Sequence, residues 1–288
     1  MLIITGATGQ LGKRIVENLL CRVPAQRIGI SVRSPDKATD FAAQGVRVRQ
    51  GDYDQPDSLR QAWEGAEQVL LVSSNAAASG GDPIAQHANA ITVARDLGVQ
   101  RIFYTSQMSA SPTSLFPPGR DHAATEVLLA QSGIAWTALR HGFYAQSLLA
   151  MQAKGLAGGM IAAPDDGPVA WTTHDDLAEA DAALLAGERI IDGATPPMTG
   201  PDALDLAAIA RLASEVKGTK VARTLISLDD LELRASQKGV PAGARAVMLG
   251  YFRAAEAGEF AEVDPALSAM LGRKPTGMRN FLEQHLPG

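Results

Sequence analysis

The stretch that decides the fold is Leu2-Ile3-Ile4-Thr5-Gly6-Ala7-Thr8-Gly9-Gln10-Leu11-Gly12. A β-branched run leads into three glycines spaced G-x-x-G-x-x-G, and residues 13–20 then have the apolar spacing of an amphipathic helix. Strand, tight turn and helix in this order place a helix N-terminus, with its free N–H groups and positive dipole end, where a dinucleotide pyrophosphate can bind. We expect Gly6 to allow the turn, Gly9 to let the backbone approach phosphate, and Gly12 to allow close helix–strand packing. An ordinary strand-to-helix turn is the alternative.

Composition limits the class of protein. The chain has 288 residues, a formal net charge of -5 and one cysteine, Cys21. No basic stripe occurs, which argues against nucleic-acid binding. A single thiol cannot form an internal disulfide and suits a reducing compartment, the apolar runs are too short to span a membrane, and the first strand begins at Leu2, which leaves no room for a signal peptide. We therefore expect a cytoplasmic protein without membrane or nucleic-acid partners; a homodimer is left open.

Strands alternate with helices through the first half of the chain. After the first strand and helix, further strands are predicted at 27–32, 46–49, 69–72, 101–105 and 135–139, and the helices between them at 35–43, 57–63, 82–97 and 121–131. This alternation predicts an α/β fold of Rossmann type, with a doubly wound parallel sheet and right-handed crossovers. Residues 1–142 are predicted to form this NAD(P)-binding domain.

The pattern changes after residue 142. Residues 143–288 are predicted to form a smaller, helix-rich α/β region that binds substrate, with a return of the chain to the main sheet left open near 169–200. Its helices are predicted at 204–216, 228–238 and 244–257, and short strands at 198–199 and 221–226. Thr173 and Asp176 have the spacing of a helix cap, which we favour over a metal or catalytic cluster because acids are stabilised in a first helical turn.

The end of the second strand bears on the choice of nicotinamide cofactor. An NAD site usually has an acid there for the ribose 2′-hydroxyl, whereas a basic residue accommodates a 2′-phosphate. Here Arg33 and Ser34 follow the strand, and Lys37 adds positive charge one turn later. These residues favour NADP over NAD, although a solvated loop arginine is the alternative.

Three further residues follow strands at the same edge of the sheet. Asp52 comes after the third strand, where its carboxylate could accept a hydrogen bond from the adenine amino group. Ser73 and Ser74 end the fourth strand and are interpreted either as ligands near the pyrophosphate and nicotinamide ribose or as simple strand terminators.

Taken together, these motifs resemble the NmrA-like branch of the atypical short-chain dehydrogenases, and in particular the bacterial quinone oxidoreductase type 2 and triphenylmethane dye reductase group. The resemblance covers nearly the whole chain. The segments that carry it are Thr5–Gly12, Val32–Pro35, Gly51–Tyr53, Tyr104–Ser106, His122–Glu126, Leu139–Tyr144 and Leu271–Thr276.

The resemblance implies NADPH as hydride donor and a flat, conjugated acceptor such as a quinone. Arg33 would meet the 2′-phosphate and Asp52 would lie near adenine, while His122 and Tyr144 match positions at the border of the substrate pocket. The predicted cofactor-binding set is Gly6, Thr8, Gly9, Gln10, Leu11, Arg33, Asp52, Ser73, Ser74 and Thr105.

The chain departs from ordinary short-chain dehydrogenases, which use Tyr-x-x-x-Lys as acid and supporting cation. The best match here is His122-x-x-x-Glu126. Residues i and i+4 share a helix face, but glutamate cannot replace an ammonium donor. His122 could protonate an oxygen because imidazole titrates near neutrality; a helix-start histidine without a catalytic role is the alternative.

The missing Tyr-Lys pair favours acceptors whose reduced form needs no strong acid. A quinone takes up hydride to give a stabilised hydroquinone anion, so positioning of the ring could supply most of the catalysis. We therefore predict an NADPH-dependent quinone reductase. The alternatives are a reductase of triphenylmethane or azo dyes, and an NADP-sensing regulatory protein without catalysis. The histidines lack metal-site spacing and no G-x-S-x-G nucleophile motif occurs, so neither a metal nor a hydrolase is expected.

Overall fold

The computed structural model describes residues 1–286. The strands are β1 (Leu2–Thr5), β2 (Ile28–Val32), β3 (Arg47–Gln50), β4 (Gln68–Leu71), β5 (Arg101–Gln107), β6 (Ala135–His141), β7 (Phe143–Tyr144), β8 (Met160–Ala163), β9 (Val169–Thr172), β10 (Gly193–Ala194), β11 (Ala203–Leu204) and β12 (Ala222–Leu225). The helices are α1 (Gln10–Leu20), α2 (Thr39–Ala43), α3 (Pro56–Ala62), α4 (Pro83–Asp96), α5 (Pro117–Gln131), α6 (Ala145–Gly158), α7 (His174–Leu185), α8 (Leu206–Lys217), α9 (Leu228–Gln237), α10 (Ala242–Glu256), α11 (Ala266–Leu271) and α12 (Met278–His285).

The main sheet has seven strands in the order β10-β6-β5-β4-β1-β2-β3, and every pair is parallel. Strand β1 lies inside the sheet between β2 and β4, with Ile3 opposite Gly29 on one side and Val69 on the other. The chain moves outward from β1 in one direction and then in the other, so a crevice forms at the carboxyl ends of β1 and β4. The predicted Rossmann-type fold is confirmed.

Both faces of this sheet are buried, as its continuous apolar strands require. Ile4 belongs to a core on one face, together with Ile15 of α1 and Leu177 of α7. Ile3 points to the opposite face and packs in a second core with Trp63, which directly follows α3, and with residues of α3, α4 and α5. This alternation follows from the period of two along a strand.

Some residues after 142 form a core of their own, and others pack on the main sheet. A third core joins the sheet β11-β9-β7, the pair β8-β12 and helices α6, α8 and α10, with Phe143, Tyr251 and Phe260 in mutual ring contact. In contrast, α7 packs on the first core and β10 pairs with β6 as the outermost strand of the main sheet. The chain thus returns to the main sheet at residues 193–194. The division at residue 142 stays a prediction.

Several local details differ from the sequence prediction. The predicted helix over 35–43 begins as a 3-10 turn, Pro35–Ala38, before α2. Asp82 precedes α4 as its N-cap, and its carboxylate accepts hydrogen bonds from the amides of Ile84 and Ala85. Met198 forms only a single bridge to His141 rather than a strand. Within residues 1–286, no helix has the length and apolar character needed to cross a bilayer.

Candidate active site

The carboxyl ends of the parallel strands carry almost all of the predicted site residues. The loops after β1, β2, β3 and β4 hold the glycine turn, Arg33, Asp52 and the two serines. Thr105 lies two residues before the end of β5, and His141 ends β6. Because the strands are parallel, these ends meet at one edge of the sheet, where open α/β folds bind their ligands. The structure therefore brings these residues to one edge.

The glycine turn is a close-packed cradle. Gly6 has a φ of +61°, a conformation that a side chain disfavours, and an added Cβ would lie 2.9 Å from the Cβ of Val72. A Cβ at Gly12 would overlap the carbonyl oxygen of Gly6 and lie 2.8 Å from its carbonyl carbon. The amide of Gly9 donates to the carbonyl of Gly6 at 2.9 Å, which closes the turn. The shape of the turn therefore requires glycine at positions 6 and 12, whereas a Cβ at Gly9 would meet only the carbonyl oxygen of Gly6, at 3.2 Å.

Helix α1 begins at this turn without a capping side chain. Its N-cap is Gly9, and its first turn contains no acid. The exposed residues Thr8, Gly9 and Gln10 border it, while Leu11 is buried. The first N–H groups of a helix have no partner within the helix, so this terminus can accept an external anion. The cradle fits the pyrophosphate of a dinucleotide.

Arg33 is exposed directly after β2, and its guanidinium makes no hydrogen bond or ion pair within residues 1–286. Lys37 is also exposed, in the 3-10 turn that follows. No carboxylate binds either cation in this described part of the chain. Their positive charge is therefore free to meet a phosphate, as a 2′-phosphate site requires.

Asp52 is held in a tight turn after β3. Its Oδ1 accepts from the amide of Asp54 at 3.1 Å, and its own amide donates to the Ser58 hydroxyl at 2.9 Å. Its carboxylate thus stabilises the turn rather than capping α3. The role of Asp52 at the adenine ring stays a prediction.

Ser73, Ser74 and Thr105 are linked to the sheet and to α4. The amide of Ser73 donates to the Thr105 hydroxyl at 2.8 Å, and Thr105 in turn donates to the Ser73 hydroxyl at 3.2 Å. The Ser74 hydroxyl donates to Gln86. Thr105 is almost completely buried, so its hydroxyl fixes the position of Ser73 by hydrogen bonds from the protein interior.

The amide of Ser74 fixes the state of a buried histidine that sequence reasoning did not select. It donates to Nε2 of His87 at 2.9 Å, so Nε2 must accept. The neutral ring therefore carries its hydrogen on Nδ1, which lies 2.8 Å from the Thr125 hydroxyl. Burial lowers the pKa of His87 to about 4, which keeps the ring neutral at neutral pH.

His122 lies in α5, with Nδ1 2.7 Å from the hydroxyl of Tyr104. Burial, with smaller effects from the nearby His87 and His141 rings, lowers the pKa of His122 to about 3. Burial also raises the pKa of Tyr104 above its usual range, so the tyrosine keeps its proton. With Tyr104 donating to Nδ1, the hydrogen of the neutral imidazole lies on Nε2. His122 can then donate a hydrogen bond, but at neutral pH it holds no imidazolium proton to transfer.

Glu126, four residues after His122, is bound to a cation. Arg140 donates to its two oxygens at 3.0 and 2.6 Å, and the Ser106 hydroxyl donates to Oε1 at 2.7 Å. This bidentate pair is nearly buried on the glutamate side. Glu126 thus joins β5, β6 and α5 and has no free proton or charge for an acceptor.

Tyr144 is the other residue predicted at the acceptor site. Its hydroxyl lies 3.1 Å from Nδ1 of His141, whose Nε2 lies 3.1 Å from Oδ1 of Asp181. The His174 ring packs edge-on against Tyr144 with centroids 4.5 Å apart. Thr173 caps α7 beside it by accepting the amide of Asp176, as predicted.

Comparisons with known proteins agree with this geometry. Residues 6–186 match the family described as NAD(P)H-binding. The chain belongs to this family. Quinone oxidoreductase 2 of Escherichia coli (strain K12) is 36% identical over 277 residues, which cover 96% of this chain and 95% of that protein.

Solved structures of the same family superpose over the whole chain. The NADPH-dependent quinone oxidoreductase of Escherichia coli complexed with NADPH has a TM-score of 0.92 at 34% identity, covering 100% of both chains. Triphenylmethane reductase of Citrobacter sp. complexed with NADP(H) has a TM-score of 0.89 at 31% identity, covering 99% of both chains. The resemblance to NmrA-like reductases of this group is confirmed.

Sequence reasoning missed the polar partners of the two predicted acceptor residues. Tyr104 and His141 lie within two of the segments that carry the resemblance, but those segments do not indicate which side chains they contact, and Asp181 lies in none of them. The spacing His141-x-x-Tyr144 after a predicted strand is the only local signal, and it says nothing about Asp181, which is 40 residues further along the chain.

Proposed function

We propose that this protein transfers hydride from NADPH to a quinone or a similar conjugated acceptor. The proposal rests on the side chains of His122 and Glu126, at the two positions that match Tyr-x-x-x-Lys. His122 is neutral and Glu126 is bound to Arg140, so neither supplies a strong acid or an ammonium group. An unactivated ketone would need such an acid, whereas a quinone gives a stabilised anion when it is reduced.

The nucleotide end of the site supports NADPH as the donor. When bound, NADPH supplies the hydride. The α1 terminus would hold its pyrophosphate, and the exposed, unpaired guanidinium of Arg33 would bind the 2′-phosphate with two charge-assisted hydrogen bonds. Asp52, Ser73 and Ser74 would border the adenine and the nicotinamide ribose.

At the acceptor end, the neutral His122 supports orientation rather than strong acid catalysis. His122 would donate a hydrogen bond from Nε2 to an acceptor oxygen, and Tyr144 would hold the ring by contact and through its hydroxyl. Both side chains are partly exposed, as contact with a ligand requires. The similarity to a quinone oxidoreductase and to a triphenylmethane reductase supports a flat conjugated acceptor.

The direct test is NADPH oxidation on addition of a simple benzoquinone, at saturating NADPH. We expect steady turnover above the uncatalysed rate, with Gly12→Ala as a control that cannot form the nucleotide cradle. Tight NADPH binding without turnover of any quinone or dye would instead favour the NADP-sensing regulatory protein.

We also propose a cytoplasmic location and a homodimer. The exposed Cys21, with no second cysteine for a disulfide, suits a reducing compartment. Sedimentation of the purified protein tests the dimer, and fractionation of the cells that produce it tests the location.

A further inference from the structure

We propose that Asp181 and His141 act through Tyr144 as a proton relay that replaces the missing Tyr-Lys pair. The inference rests on the proposed function, because it assigns the source of the proton that follows hydride transfer. In this scheme Tyr144 contacts the acceptor, and His141 and Asp181 are positioning residues behind it.

The relay is a continuous chain from the protein interior to the acceptor site. The carboxylate of Asp181 and the imidazole of His141 are completely buried, whereas Tyr144 is partly exposed. The two links, from Oδ1 to Nε2 and from Nδ1 to the hydroxyl, are both 3.1 Å. Each imidazole nitrogen faces one partner, so the ring connects the carboxylate with the phenol.

The buried carboxylate of Asp181 has one oxygen without a partner. Oδ2 of Asp181 is buried and has no hydrogen-bond partner within residues 1–286. Without an added proton, the pair would carry an uncompensated negative charge out of contact with water, which is costly. One added proton cancels that charge, and in the proposed relay this proton is the second ring proton of His141. Nδ1–H then donates to the Tyr144 oxygen, which leaves the tyrosine proton free to point at the acceptor.

The other titratable groups around His141 do not replace Asp181. His174 of α7 faces Tyr144, and burial lowers its pKa to about 4, so it is neutral at neutral pH. His122 of α5 is neutral for the same reason. Both ring nitrogens of His174 are buried and unbonded within the described chain. Asp181 is therefore the only charged partner that His141 contacts among residues 1–286.

Hydride brings two electrons to the quinone and leaves a hydroquinone monoanion. The anion oxygen bonds to the Tyr144 proton while the tyrosine oxygen takes the Nδ1 proton of His141. His141 ends neutral, still donates Nε2–H to Asp181, and recovers its proton from water. Burial raises the pKa of Tyr144 above its usual range, so donation without this replacement would be unfavourable.

Two quinones of different product basicity separate a proton relay from a structural role. With tetramethyl-1,4-benzoquinone, whose product anion is strongly basic, we expect Tyr144→Phe to lower kcat by about 100-fold and Asp181→Asn by about 10-fold. With a tetrachloro analogue, whose anion needs no acid, both losses should stay below about 3-fold. Tyr251→Phe is the matched control, because it removes another buried hydroxyl that has no hydrogen-bond partner in the described chain.

Imidazole NMR tests the chain independently of turnover. In protein with 15N-labelled histidine and bound NADPH, we expect His141 to hold its second ring proton to a higher pH in the wild type than in Asp181→Asn, because the carboxylate stabilises the imidazolium. The high-pH limb of kcat for the tetramethyl quinone should move to lower pH in the same variant.

Equal losses on both quinones, or a His141 titration that Asp181→Asn leaves unchanged, would overturn the relay. A wild type that reduces neither quinone contradicts the proposed function instead. In that case the NMR titration still decides whether Asp181 sets the protonation of His141.

Discussion

The edge of the main sheet where the carboxyl ends of the strands meet has two ends, a first around β1 and β2 and a second around β5 and β6. The polar groups at these two ends differ in whether they already have hydrogen-bond partners. In the loops after β1 and β2 two groups are uncommitted: the N-terminus of α1 has no capping side chain, and the Arg33 side chain has no partner within the described residues. Around β5 and β6 the polar groups are joined to one another in pairs. These pairs are Tyr104 with His122, Glu126 with Arg140, and His141 with Asp181.

This difference separates binding from chemistry. A donor without a partner contributes the most binding free energy to a charged ligand, because no hydrogen bond within the protein has to break first. Linked side chains instead fix which atom carries a proton, and they hold that state before an acceptor binds. We therefore expect changes at the first end to affect nucleotide affinity, and changes at the second to affect rate and pH dependence.

The largest effect should follow from filling the cradle. Gly12→Ala places a Cβ against the backbone of Gly6, which cannot move aside as a flexible side chain could. We expect NADPH affinity to fall by more than about 100-fold, as measured by fluorescence titration. Gly158→Ala is the control, because a Cβ there meets nothing within 4 Å. Unchanged affinity in Gly12→Ala would show that the turn is not the pyrophosphate site.

A smaller, selective effect is expected at the end of β2. Arg33→Ala removes the free guanidinium, so NADPH should bind about 10- to 100-fold more weakly while NADH affinity changes little. Arg253→Ala, which removes an exposed arginine of α10, should leave both affinities unchanged. An equal loss for the two nucleotides would contradict the 2′-phosphate assignment.

The smallest effect tests the buried histidines of the second end. Burial lowers the pKa of His174 to about 4, below the ordinary value of 6.5. Between these two pH values the unfolded chain binds a proton at this histidine, whereas the native protein does not. Stability is therefore lost as the pH falls below about 6.5. In His174→Leu, the loss of unfolding free energy between about pH 7.5 and pH 5.5 should be smaller by about 1 kcal/mol, as measured by urea denaturation. An unchanged loss would mean that His174 is not held neutral.

The nucleotide end of the site can be predicted from the sequence more completely than the acceptor end. The nucleotide end depends on local order, since a glycine turn must follow β1 and Arg33 must follow β2, and both are visible as spacing. The acceptor end depends on contacts between distant segments. Asp181 meets His141 only because α7 packs against the main sheet, and Arg140 meets Glu126 only because β6 lies beside α5.

The return of the chain to the sheet was equally hard to predict. Strand β10 has two residues, Gly193 and Ala194, and it pairs only with β6. So short a segment has no periodicity to recognise. The acceptor and cofactor residues are predicted from motifs and stay predictions, whereas the hydrogen bonds that hold their side chains became visible only in the fold.

The most direct test of the account is a single turnover with NADPH carrying deuterium at the transferred position. Enzyme loaded with the nucleotide is mixed with a benzoquinone in a stopped-flow instrument. We predict loss of the reduced-nicotinamide absorbance in a one-to-one ratio with hydroquinone formed, slowed by the deuterium. Tight binding of NADPH with no such loss for any quinone or dye would contradict hydride transfer as the function of this site.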